Sequence, residues 1–85
     1  MNKTTSEIIM LAGTGASIIV DAKTKTTSEL IMIISSIGRK NGHITIKNCN
    51  SKTTSELITI CRNYPDKITL DFFIVYSYAM ILLNI

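Results

Sequence analysis

The fold is decided by Lys25-Thr26-Thr27-Ser28-Glu29-Leu30-Ile31, because nearly the same seven residues occur twice more in the chain. The other copies are residues 3–9 (KTTSEII) and residues 52–58 (KTTSELI), so successive copies start 22 and 27 residues apart. Internal periods of roughly 20–50 residues are typical of proteins in which small structural units stack side by side. The 85 residues are therefore expected to form one domain of three related units.

Each copy has the spacing of a helix capping box. A threonine lies three residues before a glutamate, so its hydroxyl can accept from the N–H of the third helical residue while the carboxylate accepts from the threonine N–H. The glutamate also lies at the positive end of the helix dipole. We interpret the capping residues as structural rather than ligand-binding: Thr4, Glu7, Thr26, Glu29, Thr53 and Glu56.

A helix, a turn and a strand are predicted after each cap. Apolar residues at helical spacing follow the second cap and predict a buried face of Leu30, Ile33, Ile34 and Ile37. The first unit has Ile8, Leu11 and Ala12, and the third has Leu57, Ile60, Cys61 and Tyr64. Turn residues at 13–15, 38–42 and 63–66 are expected to end the helices. Strands are predicted over 17–22, 44–49 and 68–73.

This alternation predicts an α/β fold with parallel neighbouring strands and right-handed crossovers. The expected architecture is a short right-handed solenoid of three helix–strand repeats with a three-stranded parallel sheet and an apolar C-terminal cap. The single domain covers residues 1–85, with repeats at 3–22, 25–49 and 52–73 and the cap at 74–85. The strand residues expected to face inward are Ile19, Ala22, Ile44, Ile46, Cys49, Ile68, Leu70 and Phe73.

The strand sequences resemble a known repeat family. Residues 44–49 (ITIKNC) resemble the strand signature of leucine-rich repeats, with Cys49 at its closing position. Residues 68–73 are similar but end in Phe73, residues 19–22 keep only half of the phrase, and isoleucine stands where leucine is usual. The resemblance implies protein recognition, typically through the open face of the sheet, and supplies no catalytic residue.

The composition argues against most enzyme mechanisms. The chain has a single histidine, His43, and two cysteines, Cys49 and Cys61, without metal-binding spacing. We expect no catalytic residue, no metal and no cofactor, and free thiols in a reducing, cytoplasmic compartment. The net charge of +3 is carried by dispersed basic residues, which argues against nucleic-acid binding. The basic residues of that hypothesis are Lys23, Lys25, Arg39, Lys40 and Lys47.

Apolar residues beyond the predicted core suggest a contact surface. Ile9, Met10, Ile31 and Met32 turn away from the main buried face of their helices by ~100° per residue. Such a stripe either binds a partner or is absorbed into a loosely packed core, and the sequence leaves both open. Residues 72–85 contain no charge, but they are too short for a spanning helix of ~20 residues. The candidate interface residues of this segment are Phe72, Tyr76, Tyr78 and Ile81.

The sequence thus predicts a non-enzymatic interaction or structural module. We expect it to self-associate through its apolar helix and C-terminal surfaces, with a two-fold dimer as the simplest assembly and another protein partner also possible. The alternative is a peripheral membrane protein that uses the apolar tail.

Removal of residues 74–85 tests the role of this tail. We expect the shortened chain to aggregate or unfold, because the tail covers apolar surface of the last unit or docks on another copy. Thermal unfolding and light scattering would measure this. A shortened chain that stays dispersed and melts unchanged would rule the role out.

Overall fold

The computed structural model describes residues 3–73, which form an α/β structure with three α-helices and one three-stranded parallel sheet. The helices are α1 (Thr5–Ala12), α2 (Thr27–Arg39) and α3 (Thr54–Cys61). The strands are β1 (Ile18–Asp21), β2 (Ile44–Lys47) and β3 (Ile68–Leu70). Short 3₁₀ turns at Cys49–Ser51 and Pro65–Lys67 complete the connections.

All three helices begin at the expected threonine. Thr4, Thr26 and Thr53 have extended backbones at the N-cap, and each helix has both hydrogen bonds of a capping box. The turn residues predicted at 38–42 do end α2, but the helix continues through Gly38 to Arg39 before the chain turns. A Cβ at Gly38 would lie 2.5 Å from the ring of Tyr64, so glycine is needed there for close packing rather than for a turn.

The strands lie in chain order, with β2 between β1 and β3. Ile44 of β2 is opposite Ile18 on one side and Ile68 on the other, so the three strands share one register. The strands are shorter than predicted, at four, four and three residues. Backbone pairing nevertheless continues past β2, where the N–H of Cys49 donates to the carbonyl of Asp71 at 3.1 Å.

The core lies between the helices and one face of the sheet. Helix α2 supplies the four predicted residues Leu30, Ile33, Ile34 and Ile37, all at most 2% exposed. From the strand segments, Ala22, Ile44, Ile46 and Cys49 are buried as predicted, whereas Ile68 and Leu70 are half-buried. The remaining buried apolar residues are Ile8, Ala12, Val20, Leu57 and Ile60.

Three residues predicted inward are exposed. Ile19 is 67% exposed because it pairs with Thr45, on the outer face of the sheet, while Val20 takes the core position. Leu11 is 49% exposed, since α1 has a neighbouring helix on only one side within residues 3–73. Phe73 is 89% exposed.

Phe73 differs from its counterpart Cys49 because of the residue before it. Asn48 has a left-handed backbone, with φ of 58°, and the chain then turns so that the Cys49 side chain is buried. Asparagine tolerates this conformation, whereas a bulky residue such as Phe72 rarely adopts it. After β3 the chain instead turns at Asp71, whose Oδ1 accepts from the N–H of Phe73 at 2.9 Å.

Two isoleucines provide a matched test of the sheet register. Ile46→Ala removes a fully buried side chain and is expected to lower the free energy of unfolding by ~2–5 kcal/mol. Ile19→Ala removes an exposed side chain and is expected to change it by less than ~0.5 kcal/mol. Urea unfolding followed by circular dichroism measures both. Equal losses for the two variants would contradict the observed register.

Candidate functional site

The helix N-termini carry the most regular polar geometry in the described part of the chain. In α2, the Glu29 N–H donates to Thr26 Oγ1 at 3.1 Å and the Thr26 N–H donates to Glu29 Oε1 at 2.8 Å. The same pair of bonds measures 3.2 and 3.0 Å between Thr4 and Glu7. It measures 3.1 and 2.9 Å at α3, which is capped by Thr53 and Glu56.

The second carboxylate oxygen binds the preceding unit. Glu29 Oε2 accepts from the Thr5 hydroxyl at 2.7 Å, and Glu56 Oε2 accepts from the Thr27 hydroxyl at 3.0 Å. One glutamate therefore caps its own helix with one oxygen and joins the neighbouring helix with the other.

Lysines repeat the connection on the backbone. Lys25 Nζ donates to the carbonyl of Lys3 at 3.0 Å, and Lys52 Nζ donates to the carbonyl of Lys25 at 2.8 Å. We call the polar ladder the four bonds between units: these two lysine–carbonyl bonds and the two from the threonine hydroxyls to Glu29 and Glu56. The ladder joins each unit to the next through the same atoms, so it matches the repeat of the sequence.

The capping bonds, and after them the polar ladder, lower the pKa of Glu29 and Glu56. Hydrogen bonds from the Thr26 N–H, and then from the Thr5 hydroxyl, hold the pKa of Glu29 at about 2. The pKa of Glu56 is lowered for the same reasons, first by the Thr53 N–H and then by the Thr27 hydroxyl. Such hydrogen bonds favour the charged form of a carboxyl group.

The candidate interface residues divide into exposed and packed side chains. Met10 is 74% exposed and Met32 is 51% exposed, at equivalent positions of α1 and α2. Ile9 and Ile31 are half-buried and pack against the core. Phe72 is 47% exposed. Three candidates, Tyr76, Tyr78 and Ile81, lie outside the described residues together with the predicted cap at 74–85.

A groove of about 520 Å³ lies beside α1 and β1. Its apolar wall includes Ile8, Leu11, Ile18 and Val20, and three lysines border it. The lysines are Lys3, Lys25 and Lys47. The groove is therefore the partly open end of the apolar core with a basic rim.

The side chains of His43 and Cys49 each have a hydrogen-bond partner. His43 Nε2 lies 2.8 Å from the Thr69 hydroxyl. The Cys49 thiol donates to the carbonyl of Ile46 at 3.0 Å, and burial raises the pKa of both Cys49 and Cys61. Within residues 3–73, no group of three His, Cys, Asp or Glu side chains is placed to hold a metal ion. No helix in that range is long and apolar enough to cross a membrane.

Comparison with protein-family models, curated proteins and solved structures finds no significant match to this chain.

Sequence reasoning assigned the caps but missed the bonds between units. Each copy of the seven-residue sequence also keeps its lysine and its second threonine, although neither is needed for capping. Their recurrence was a sequence signal of the polar ladder. The partner of Thr5, which is Glu29, is 24 residues away and follows only from the packing of α1 against α2.

The lowered pKa values predict how stability depends on pH. The unfolded chain binds protons to Glu29 at higher pH than the folded chain does, so the contribution of Glu29 is full above about 4.5 and is lost as the pH falls towards about 2. The midpoint temperature of thermal unfolding is expected to fall between pH 5 and about pH 2. Carboxyl NMR is expected to show Glu29 titrating at lower pH than an ordinary glutamate.

Thr5→Val is the matched variant, because it removes the hydroxyl between units and keeps the cap of α2. Its Glu29 is expected to titrate at higher pH than in the unaltered chain. Unchanged titration would show that the bond from Thr5 does not act on this carboxylate.

Proposed function

We propose that this chain is a non-enzymatic interaction module that self-associates, built as a short right-handed solenoid of helix–strand repeats. Three observations support the proposal: an exposed apolar face on the helices, the structural use of the charged side chains, and the small size of the domain. The leucine-rich-repeat resemblance of the strands points to the same class of protein.

The exposed methionines carry the proposal. Met10 and Met32 occupy equivalent positions on adjacent helices, and at least half of each side chain is exposed. Soluble proteins rarely leave large continuous apolar surface without a partner. Methionine has a flexible, polarisable side chain that suits adaptable contacts. A second copy of the chain presents the same apolar face, so two copies can cover it symmetrically.

The charged groups support a structural rather than a catalytic role. Perturbed pKa values are common in active sites, but they also arise in structural networks. Here the lowered pKa of Asp21 has its largest cause in the Asn48 amide, and that of Asp71 in the Phe73 N–H. Like the capping glutamates, these carboxylates are engaged in holding loops and helices together.

Size also favours association. A domain of 85 residues buries a smaller fraction of its surface than a larger one and has correspondingly little stability to spare. Association stabilises a folded chain by mass action, because only the folded state offers the contact surface.

The double substitution Met10→Ser and Met32→Ser tests the helix face. The unaltered full chain is expected to exceed its 9.4 kDa monomer mass at micromolar concentration in size-exclusion chromatography with light scattering. The variant is expected to dissociate at a Kd raised at least ~10-fold, since burial of a large apolar side chain is worth ~1.5–3 kcal/mol. Circular dichroism checks that the fold is retained.

Thr45→Ser is the control, because Thr45 lies on the outer sheet face of the central strand β2, away from the helices. It is expected to leave the mass unchanged. An unaltered chain that stays monomeric would contradict self-association. Flotation of such a monomer with liposomes would instead favour the alternative function, a peripheral membrane protein that uses the uncharged run at residues 72–85.

A further inference from the structure

We propose that the two ends of the row of units are complementary halves of one interface, through which a second copy of the chain docks head to tail. The inference rests on the proposed self-association and adds a head-to-tail contact to the symmetric contact through the helix face. The first end consists of α1 and β1, and the second end consists of α3 and β3. Each end has neighbouring elements on only one side within residues 3–73.

The polar ladder leaves matching atoms at the two ends. Inside the row, a threonine hydroxyl donates forward to a glutamate and a lysine ammonium donates back to a carbonyl. At the first end, Lys3 Nζ, at 4.0 Å, is the one partner of Glu7 Oε2 among residues 3–73, and both side chains are exposed. At the second end stand the hydroxyl of Thr54 and the carbonyl of Lys52, each without a ladder bond to a further unit among the described residues.

These four groups form one further rung when the second end of one copy meets the first end of another. The Thr54 hydroxyl would donate to Glu7, as Thr27 donates to Glu56 within the chain. The Lys3 ammonium would donate to the Lys52 carbonyl, as Lys52 does to Lys25. Donors and acceptors therefore match without any change in the geometry of the ladder.

Apolar side chains are also more exposed at the two ends than at the equivalent positions inside the row. Ile58 is 59% exposed, whereas its counterparts in the earlier units, Ile9 and Ile31, are half-buried and pack against the core. Leu11 is 49% exposed, and its counterparts Ile33 and Ile60 are at most 2% exposed. Among the described residues, each of these two side chains has no neighbouring unit on the side where its counterparts have one. A docked copy would supply that unit.

The sheet register extends across the same junction. Ile68 of β3 follows Ile44 of β2, which follows Ile18 of β1, with no shift between strands. Continuing this pattern puts Ile68 of one copy opposite Ile18 of the next. The half-buried residues of β3 would then cover the groove beside β1, and two edge strands would gain backbone partners.

The tail at residues 74–85 is the competing occupant of the second end. It contains no acidic residue and no lysine or arginine. It offers Thr54 no side-chain carboxylate and the Lys52 carbonyl no side-chain ammonium group, whereas Glu7 and Lys3 of a second copy offer both. Chemical complementarity thus favours the second copy.

The test uses full-length chains altered at one end only. Leu11→Lys places a charge on the first end, and Ile58→Lys places one on the second end. Both are made in a chain that also carries Met10→Ser and Met32→Ser, which removes the helix-face contact. Each variant alone is then expected to lose association, with Kd raised at least ~10-fold in sedimentation equilibrium. An equimolar mixture is expected to form one-to-one dimers, because each variant retains the end that the other has lost. Leu11→Met and Ile58→Leu keep the apolar surface and are expected to associate like the unaltered chain.

Thr54→Val and Thr54→Ser examine the added rung without touching the caps. The valine variant is expected to weaken association roughly 3- to 10-fold and the serine variant to leave it unchanged, since only serine keeps the donor.

Three outcomes would overturn the inference. An equimolar mixture that stays monomeric would show that the two ends do not meet, and so would association that survives both Leu11→Lys and Ile58→Lys; self-association through the helix face would still stand in both cases. An unaltered chain that is monomeric throughout would overturn the proposed function along with the inference.

Discussion

The rest of this structure depends on the Glu29 carboxylate, whose two oxygens accept hydrogen bonds from two different units. Glu29 accepts from the N–H of its own cap with one oxygen and from the hydroxyl of the preceding unit with the other. The bond within the helix caps the start of α2, and the bond to Thr5 joins α2 to α1. Glu56 repeats both contacts, so the two junctions between helices share the same pair of hydrogen bonds.

The sheet is regular as well. Ile18, Ile44 and Ile68 lie side by side, so the three strands share one register. The middle unit benefits most, since it has a neighbour on each side. Ile33, Ile44 and Ile46 are fully buried there. The outer units are less covered, as the exposure of Leu11 and Ile58 shows. A row of like units buries its interior and leaves apolar surface at its ends.

Particular residues show how far sequence patterns reach. Strand β2 alternates apolar and polar side chains, so its inward residues Ile44 and Ile46 could be predicted from local pattern alone. Strand β1 reads Ile18-Ile19-Val20, where either face could be buried, and pairing with Thr45 decided that Ile19 points outward. Gly38 is a residue type common in turns, but the ring of Tyr64, far along the chain, packs against it and the helix continues.

The amino-acid sequence by itself determined where each helix starts, which face of α2 is buried and that neighbouring strands are parallel. Those features depend on contacts within a few residues, or on a repeat that is visible as text. Only the tertiary structure decided that Thr5 binds Glu29, that Lys25 binds a carbonyl of the previous unit, and that Leu11 and Ile58 remain uncovered. These depend on distances between units more than 20 residues apart, which local propensity and spacing do not encode.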